Sequence, residues 1–125
     1  MEQFTFEKLE AWQKARVLVK WVYGLIMKFP PTEKFGLSSQ LGRAIVSVPS
    51  NIAEGSGRPS LKERIHFFEI AYGSLMESLT QLIIASDLGF ISEHEVEEGR
   101  VKIIEVARLI SGLRKSLLKR IDSKE

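Results

Sequence analysis

The chain has 125 residues, of which 44% are hydrophobic and 27% are charged, a composition typical of one globular domain and not of a disordered segment. Eighteen lysines and arginines against sixteen aspartates and glutamates give a formal charge of +2, which permits a nucleic-acid partner without requiring one. The absence of cysteine excludes disulfides and cysteine-based zinc or redox sites, and two histidines exclude a histidine-rich metal site. Because no secretory signal or membrane span is predicted, we expect a soluble, cytoplasmic, single-domain protein over residues 1–125.

The first predicted helix covers about residues 7–28 and is amphipathic. Its apolar residues recur at alternating steps of four and three residues, which places them along one side of a helix. Pro30 and Pro31 end this helix, because proline lacks an amide proton and disfavours helical geometry in the residue before it. The predicted core positions are Ala11, Ala15, Leu18, Val22, Leu25 and Phe29.

The second predicted helix covers about residues 33–54, and Thr32 is placed to cap its first turn. Pro49 lies within the apolar pattern, removes one backbone hydrogen bond and predicts a kink. A β-strand over residues 45–48 is the alternative that local propensity offers, but a short strand without a partner is disfavoured. Gly55 is a candidate for the left-handed residue that closes the helix.

The third predicted helix covers about residues 61–88 and has the strictest apolar pattern in the chain. Ser60 followed by Glu63 forms a capping box at its start, and Gly89 is expected to end it. The predicted core positions are Leu61, Ile65, Phe68, Tyr72, Leu75, Leu79 and Leu82.

The fourth predicted helix covers about residues 93–121 and opens with a second capping box, formed by Ser92 and Glu95. Its predicted core positions are Val96, Ile103, Ala107, Ile110, Leu117 and Ile121. Because the connecting loops are short, consecutive helices are expected to be antiparallel neighbours. The predicted fold class is all-α: an antiparallel, up-down-up-down four-helix bundle whose second helix is kinked at Pro49.

Several apolar residues are left over once a single bundle core is filled, and such a surplus is typical of an oligomer interface. The surplus residues are Trp12, Trp21, Phe67, Ile70, Met76, Ile83 and Ile84. A stripe of small residues on the third helix would also let another helix approach closely, and it consists of Ala71, Ser74, Ser78 and Ala85. We therefore expect a homo-oligomer.

Several segments resemble a bacterial family of four-helix-bundle proteins first noticed as open reading frames in intervening sequences of 23S ribosomal RNA genes. The most specific segment is residues 40–55 (QLGRAIVSVPSNIAEG), although Gly42 stands where the family often has a second basic residue. Shorter matches are residues 12–15 (WQKA), 29–37 (FPPTEKFGL), 70–77 (IAYGSLME) and 80–82 (TQL). The resemblance covers roughly residues 6–91, and the fourth helix matches only in being amphipathic.

The resemblance implies a homopentameric barrel of four-helix bundles. The same fold occurs in the accessory protein of diversity-generating retroelements, a basic pentamer that binds nucleic acid and a reverse transcriptase. A nucleic acid and a protein such as a reverse transcriptase are therefore possible partners by resemblance, whereas a settled activity is not implied.

The segment around the predicted kink is chemically unusual because Pro49 frees a carbonyl near Ser50 and Asn51, and Glu54 lies one turn further on. One interpretation is that these four residues contact a ligand or another subunit. The other is that they form a kink whose polar groups are satisfied locally, and we favour this second interpretation. No base and orienting acid accompany the serine at a recognisable spacing, so we expect no catalysis.

Glu63 and His66 have the Glu-x-x-His spacing of di-iron bundles, but the second copy and two further inward glutamates that such a site needs are missing. Both residues also fall off the predicted core face. We predict no metal site, no cofactor and no enzyme activity.

Basic residues are the candidate contacts for nucleic acid, and we single out Arg43, Arg58, Lys62, Arg114, Lys115 and Arg120. Arg58 and Lys62 flank the start of the third helix, where free amides favour an anion, although a plain capped turn explains the same residues. In the fourth helix, acidic residues at the start and basic residues at the end suit the helix dipole. If the protein forms an oligomer, however, the repeated basic ends would concentrate positive potential. The sequence thus favours a non-catalytic, homo-oligomeric scaffold that binds RNA or DNA, with a protein-interaction module lacking any nucleic-acid role as the alternative.

Overall fold

The computed structural model describes residues 1–123, which contain four α-helices and no β-strand. The helices are α1 (Glu10–Ile26), α2 (Leu37–Ser56), α3 (Leu61–Asp87) and α4 (Glu93–Ser123). Short 3-10 helices, Thr5–Lys8 and Pro31–Glu33, precede α1 and α2. The prediction of an all-helical chain with four helices is therefore confirmed. Within this described part of the chain, no helix is both long enough and apolar enough to span a membrane.

Each helix contacts the next one along the chain, and α1 also contacts α4. Side-chain contacts of α4 with α1 and with the turn that follows α1 fall in opposite sequence order, in the pairs Lys28–Glu95, Trp21–Glu98 and Lys14–Glu105. The same order relates α2 and α3, in the pairs Gln40–Gln81 and Ser47–Ser74. This order is typical of neighbouring helices that run in opposite directions. The complete up-down-up-down topology stays a prediction, as does the kink at Pro49, which lies inside a continuous α2.

The start of α2 differs from its prediction. Thr32 caps no helix; it lies in a 3-10 turn, and α2 begins only at Leu37. The carboxylate of Glu33 instead accepts a hydrogen bond from the amide of Leu37 at 3.1 Å. A side chain from the preceding turn thus satisfies the first free amide of α2, a role that the shorter Thr32 in the middle of that turn does not fill.

Gly55 does not close α2, contrary to its prediction, because it lies inside the helix, which continues to Ser56. A Cβ atom at Gly55 would lie 2.9 Å from Cε1 of Phe68 and 3.1 Å from the carbonyl oxygen of Arg64. The glycine therefore permits a close approach between α2 and α3. Among the described residues, the one positive φ is that of Gly89, at 81°.

Gly89 ends α3 as predicted. Its amide donates to the carbonyl of Ser86, and the amide of Phe90 donates to the carbonyl of Ala85, both at 2.9 Å. This pair of hydrogen bonds is a Schellman motif, which requires a left-handed residue after the helix and so favours glycine.

The apolar row predicted for α1 is buried throughout, but the row predicted for α3 is partly wrong. Tyr72 is 39% exposed, and Leu61 and Leu79 are only half-buried. The small residues of the predicted stripe are instead buried within the chain, and one of them, Ser74, bonds to Ser47 of α2. This stripe is therefore not available to a second copy.

The capping box predicted for Ser60 and Glu63 is only half formed, whereas the one predicted for Ser92 and Glu95 is complete. The Ser60 hydroxyl accepts from the amide of Glu63 at 3.4 Å, but within residues 1–123 the Glu63 carboxylate accepts no hydrogen bond from the Ser60 amide. At α4 the contact is reciprocal: the amide of Glu95 donates to the Ser92 hydroxyl at 3.1 Å, and the amide of Ser92 donates to the Glu95 carboxylate at 2.9 Å. The same carboxylate binds the ammonium group of Lys28, which joins the start of α4 to the end of α1. The Lys28 contact, followed by the hydrogen bonds from Ser92, lowers the pKa of Glu95 below its ordinary value of 4.5.

Gly55→Ala should destabilise the fold by about 1–3 kcal/mol, because the added methyl group meets a packed ring and a backbone carbonyl that cannot both move away. Gly24→Ala is the matched control: nothing lies within 4 Å of its Cβ position, so better helix propensity should stabilise the protein by about 0.5 kcal/mol. Urea unfolding of the two variants tests this, and a neutral Gly55→Ala would contradict the close packing of α2 on α3.

Glu95→Gln should remove a pH-dependent part of the stability. Because the pKa of Glu95 is lowered in the folded state, its contribution is complete above the unfolded value near 4.5 and is lost as the pH falls through the folded value. The difference in unfolding free energy between wild type and Glu95→Gln should therefore be largest at neutral pH and shrink in acid. Glu93→Gln, in the same turn but outside these contacts, is the control; an equal effect would refute the assignment.

Candidate functional site

Five of the six predicted nucleic-acid contacts lie near the end of the bundle where α3 begins and α4 ends. The guanidinium of Arg114 binds the Glu69 carboxylate at 2.9 Å, so these two residues of α4 and α3 lie side by side. Lys62 precedes Glu69 by two helical turns and Arg120 follows Arg114 by nearly two, so both lie at this end. We call this surface the basic end, and it consists of Arg58, Lys62, Arg114, Lys115, Lys119 and Arg120.

Arg58 is held in place by its own chain. Its guanidinium lies 4.8 Å from the centre of the Phe67 ring and 3.6 Å from the carboxylate of Glu54. Its backbone carbonyl accepts a hydrogen bond from Nε of Arg64 at 2.6 Å. Its own Nε is buried without a hydrogen-bond partner in the part of the chain that the structure describes. Arg58 therefore stabilises the turn between α2 and α3, and its charge is already partly neutralised.

The remaining cations of the basic end are more available. Lys62, Lys115, Lys119 and Arg120 are exposed, and none forms an ion pair with another residue in the range 1–123. In contrast, Arg114 is already bound to Glu69. These four side chains can therefore donate hydrogen bonds to phosphate groups without first losing an ion pair.

Arg43 is not part of this surface. It lies near the start of α2, beside the end of α1. Its neighbour Gly42 shows this proximity, since a Cβ placed there would lie 3.1 Å from the hydroxyl of Tyr23 near the end of α1. This is the opposite end of the bundle from Lys62. The structure therefore does not bring Arg43 together with the other predicted cations.

The four residues around the predicted kink separate onto different faces. The amide of Asn51 donates to the carbonyl and to the hydroxyl of Ser47, both at 2.8 Å, so it is satisfied inside α2. Glu54 is exposed and binds Arg58, outside the contacts of Asn51. Pro49 and Ser50 instead line a groove of about 360 Å³ between α1 and α2.

Asn51 belongs to a polar ladder between α2 and α3 that the sequence analysis did not identify. The hydroxyl of Ser74 donates to that of Ser47 at 2.9 Å, and the buried hydroxyl of Ser78 donates to the carbonyl of Ser74 at 2.8 Å. Further along, the buried amide of Gln81 lies 3.5 Å from Gln40. The Ser47–Ser74 and Gln40–Gln81 contacts are therefore structural contacts between two helices, although the buried Oε1 of Gln81 has no hydrogen-bond partner among the described residues.

A groove of about 540 Å³ lies between α3 and α4, and it was not predicted. Its apolar side chains include Tyr72, Met76 and Ile104, and its α4 side carries Arg108 and Lys115. The signal that could have found it is the spacing of the two cations, which are seven residues apart and therefore share one face of a helix. The apolar pattern of the sequence instead predicts that Tyr72 lies in the core.

Residues 1–123 contain no group of three or more histidine, aspartate or glutamate side chains placed to hold a metal ion. Glu63 and His66 are both exposed, and the ring of His66 packs edge-on against Phe67 at 5.5 Å.

Comparison with known proteins identifies the family. The family model of the 23S rRNA-intervening sequence protein matches residues 7–112, most of the chain. The chain belongs to this family. A comparison with curated proteins gave no match.

The family match reaches further than the sequence resemblance, which ended at residue 91, and it includes the first two thirds of α4. It contains Arg43, Arg58 and Lys62 as well as the segment around Pro49. The cations of the last turns of α4, from Arg114 onwards, lie outside it. The description of the family names no ligand, partner or activity, so the function must be argued from the surfaces of this chain.

Proposed function

We propose that this protein is a non-catalytic, homo-oligomeric scaffold that binds RNA or DNA in the cytoplasm through electrostatic contacts with phosphates. The proposal includes an up-down-up-down bundle with a kink at Pro49 and, as the family resemblance implies, a pentamer. The observation that carries it is the set of four exposed cations at the basic end, Lys62, Lys115, Lys119 and Arg120, without ion-pair partners in residues 1–123.

The distribution of charge supports this proposal better than the total charge does. Three of the four glutamates in the first turns of α4 are used within the chain: Glu95 binds Lys28, Glu97 binds Arg100, and Glu98 accepts a hydrogen bond from Trp21. The cations at the end of α4 remain on the surface. An oligomer would repeat this surface once per subunit, and repeated positive patches attract polyanions even when the charge per chain is small.

Exposed apolar residues on α3 support self-association. Ile70 and Ile84 of α3, with Leu88 directly after its last residue, are 38%, 41% and 57% exposed and lie on one side of the helix. We call them the outer row of α3, in which the exposed Glu77 stands between Ile70 and Ile84. Large apolar side chains exposed on one side of a helix are typical of a subunit interface.

Ile70→Glu combined with Ile84→Glu should reduce the molar mass of the assembly, because two buried carboxylates oppose contact between outer rows. Light scattering on a sizing column measures the mass, and circular dichroism checks that the helices remain. Val17→Glu with Val101→Glu, two exposed apolar residues on α1 and α4, is the matched control. A monomeric wild-type protein, or an unchanged mass in the outer-row variant, would contradict this interface.

Nucleic-acid binding should be strongly salt-dependent and should depend on the basic end. Replacing Lys62, Lys119 and Arg120 by glutamine should make the negative slope of log K against log salt shallower by about 2, because each phosphate contact contributes roughly −0.7 to −0.9. Fluorescence anisotropy with a labelled single-stranded RNA and a duplex DNA, each over a salt series, measures this slope.

The control for this measurement replaces three exposed cations outside the basic end, Lys20, Lys34 and Arg43, by glutamine. This variant has the same net charge as the first but should keep the wild-type slope. Equal losses in both variants would show that net charge alone governs binding. Failure of the wild-type protein to bind at low salt would refute the proposal.

A further inference from the structure

We propose that the groove between α3 and α4 binds an acidic amphipathic helix of a different protein. This inference does not require nucleic-acid binding at the basic end, although Lys115 belongs to both surfaces, because it rests on the apolar groove and on Arg108 and Lys115 at its side.

The floor of the groove is apolar and open to solvent. Tyr72 and Met76 of α3 and Ile104 of α4 are 39%, 38% and 40% exposed, and Ala107 lies between the two helices. The volume of about 540 Å³ extends along both helices as a trough and is not closed over. Covering these side chains with apolar groups of a ligand would remove them from water, which is the main source of affinity in helix-in-groove recognition.

The α4 side of the groove supplies two available positive charges. Arg108 and Lys115 are exposed, and neither forms an ion pair with a residue in the described range 1–123. Nearby cations are occupied, since Arg100 binds Glu97 and Arg114 binds Glu69. The two free charges are separated by two helical turns, about 10.5 Å along the axis.

This arrangement fits a helix laid along the trough. Carboxylates seven residues apart on such a helix repeat at the same distance of about 10.5 Å, and apolar residues between them would face Tyr72 and Met76. Gly112 lies between the two cations along α4, and nothing lies within 4 Å of its Cβ position. The missing side chain lets the backbone of a bound helix come close to α4 at this point.

A second copy of this chain does not supply such a helix. Glu98 and Glu105 are the one pair of acidic residues seven positions apart in the sequence. Both already contact α1, through the indole N–H of Trp21 at 3.1 Å and the ammonium group of Lys14 at 3.2 Å. The charge pattern of the groove therefore favours a different protein.

Nucleic acid fits the groove less well than an apolar helix does. A strand bound through phosphates and base stacking needs a series of aromatic faces along a basic channel. Here the exposed floor has one aromatic ring beside the aliphatic side chains of Met76 and Ile104, and the free cations stand on one side only.

The test uses a fluorescein-labelled synthetic peptide of three heptads, with glutamates seven residues apart and leucines at the intervening helical positions. Fluorescence anisotropy with the full chain should give saturable binding. A peptide of the same composition in scrambled order should not bind. Arg108→Glu and Lys115→Glu should each raise the Kd at least about tenfold, because a charge-assisted contact is replaced by repulsion. Lys20→Glu, the same charge change on α1, should leave the Kd within about twofold.

A charge swap makes the test specific. A peptide with lysines in place of the two glutamates should bind the Arg108→Glu, Lys115→Glu double variant better than the wild-type protein. Gly112→Ala should weaken binding of the acidic peptide while the melting temperature stays equal or rises, since alanine favours the free helix. Failure of the charge swap, or equal binding of the scrambled peptide, would overturn the assignment.

Two other occupants give different results. If the double variant lowers the molar mass measured by light scattering, a second copy covers the groove and the proposal is wrong. If a single-stranded RNA displaces the acidic peptide and loses affinity in the double variant but not in the variant with glutamine at Lys62, Lys119 and Arg120, the groove is a nucleic-acid site and the proposal is likewise wrong.

Discussion

The close packing of α2 on α3 is the contact on which the other surfaces depend. Gly55 removes the side chain that would meet Phe68, and the hydroxyls of Ser47 and Ser74 bond across the same interface. Small residues bring the two backbones together, so α3 turns its small face towards α2. The larger apolar residues of α3, among them Tyr72 and Met76, consequently remain at the solvent side of the contact with α4. The groove between α3 and α4 follows from this orientation.

A second constraint is the separation of charge along α4. Its acidic first turns are held by the Ser92–Glu95 capping box and by the contacts of Lys28 and Trp21 with this region. These contacts satisfy the dipole at the start of the helix and join α4 to α1. The basic residues at the other end have fewer partners, and Lys62, Lys115, Lys119 and Arg120 are exposed and outside the ion pairs of residues 1–123. The proposed binding of nucleic acid depends on this asymmetry.

The two proposed binding surfaces use different physics on neighbouring parts of α4. At the basic end, exposed cations act at long range and their effect weakens with salt. In the groove, apolar burial supplies affinity, and Arg108 and Lys115 select the sign and spacing of the partner's charges. Binding at the two surfaces should therefore respond differently to salt and to charge reversal.

The sequence by itself determined the features that arise within a few residues: the number of helices, the serine caps at Ser60 and Ser92, the glycine that ends α3 and the buried row of α1. Capping and helical periodicity are local, so the pattern is enough to predict them. The tertiary structure alone decided which side of α3 is buried, because that helix carries apolar residues on several sides and the small residues of α2 select among them. It also decided that Gly55 serves packing and that Arg43 lies apart from the other cations, since both facts depend on contacts between residues distant in the sequence.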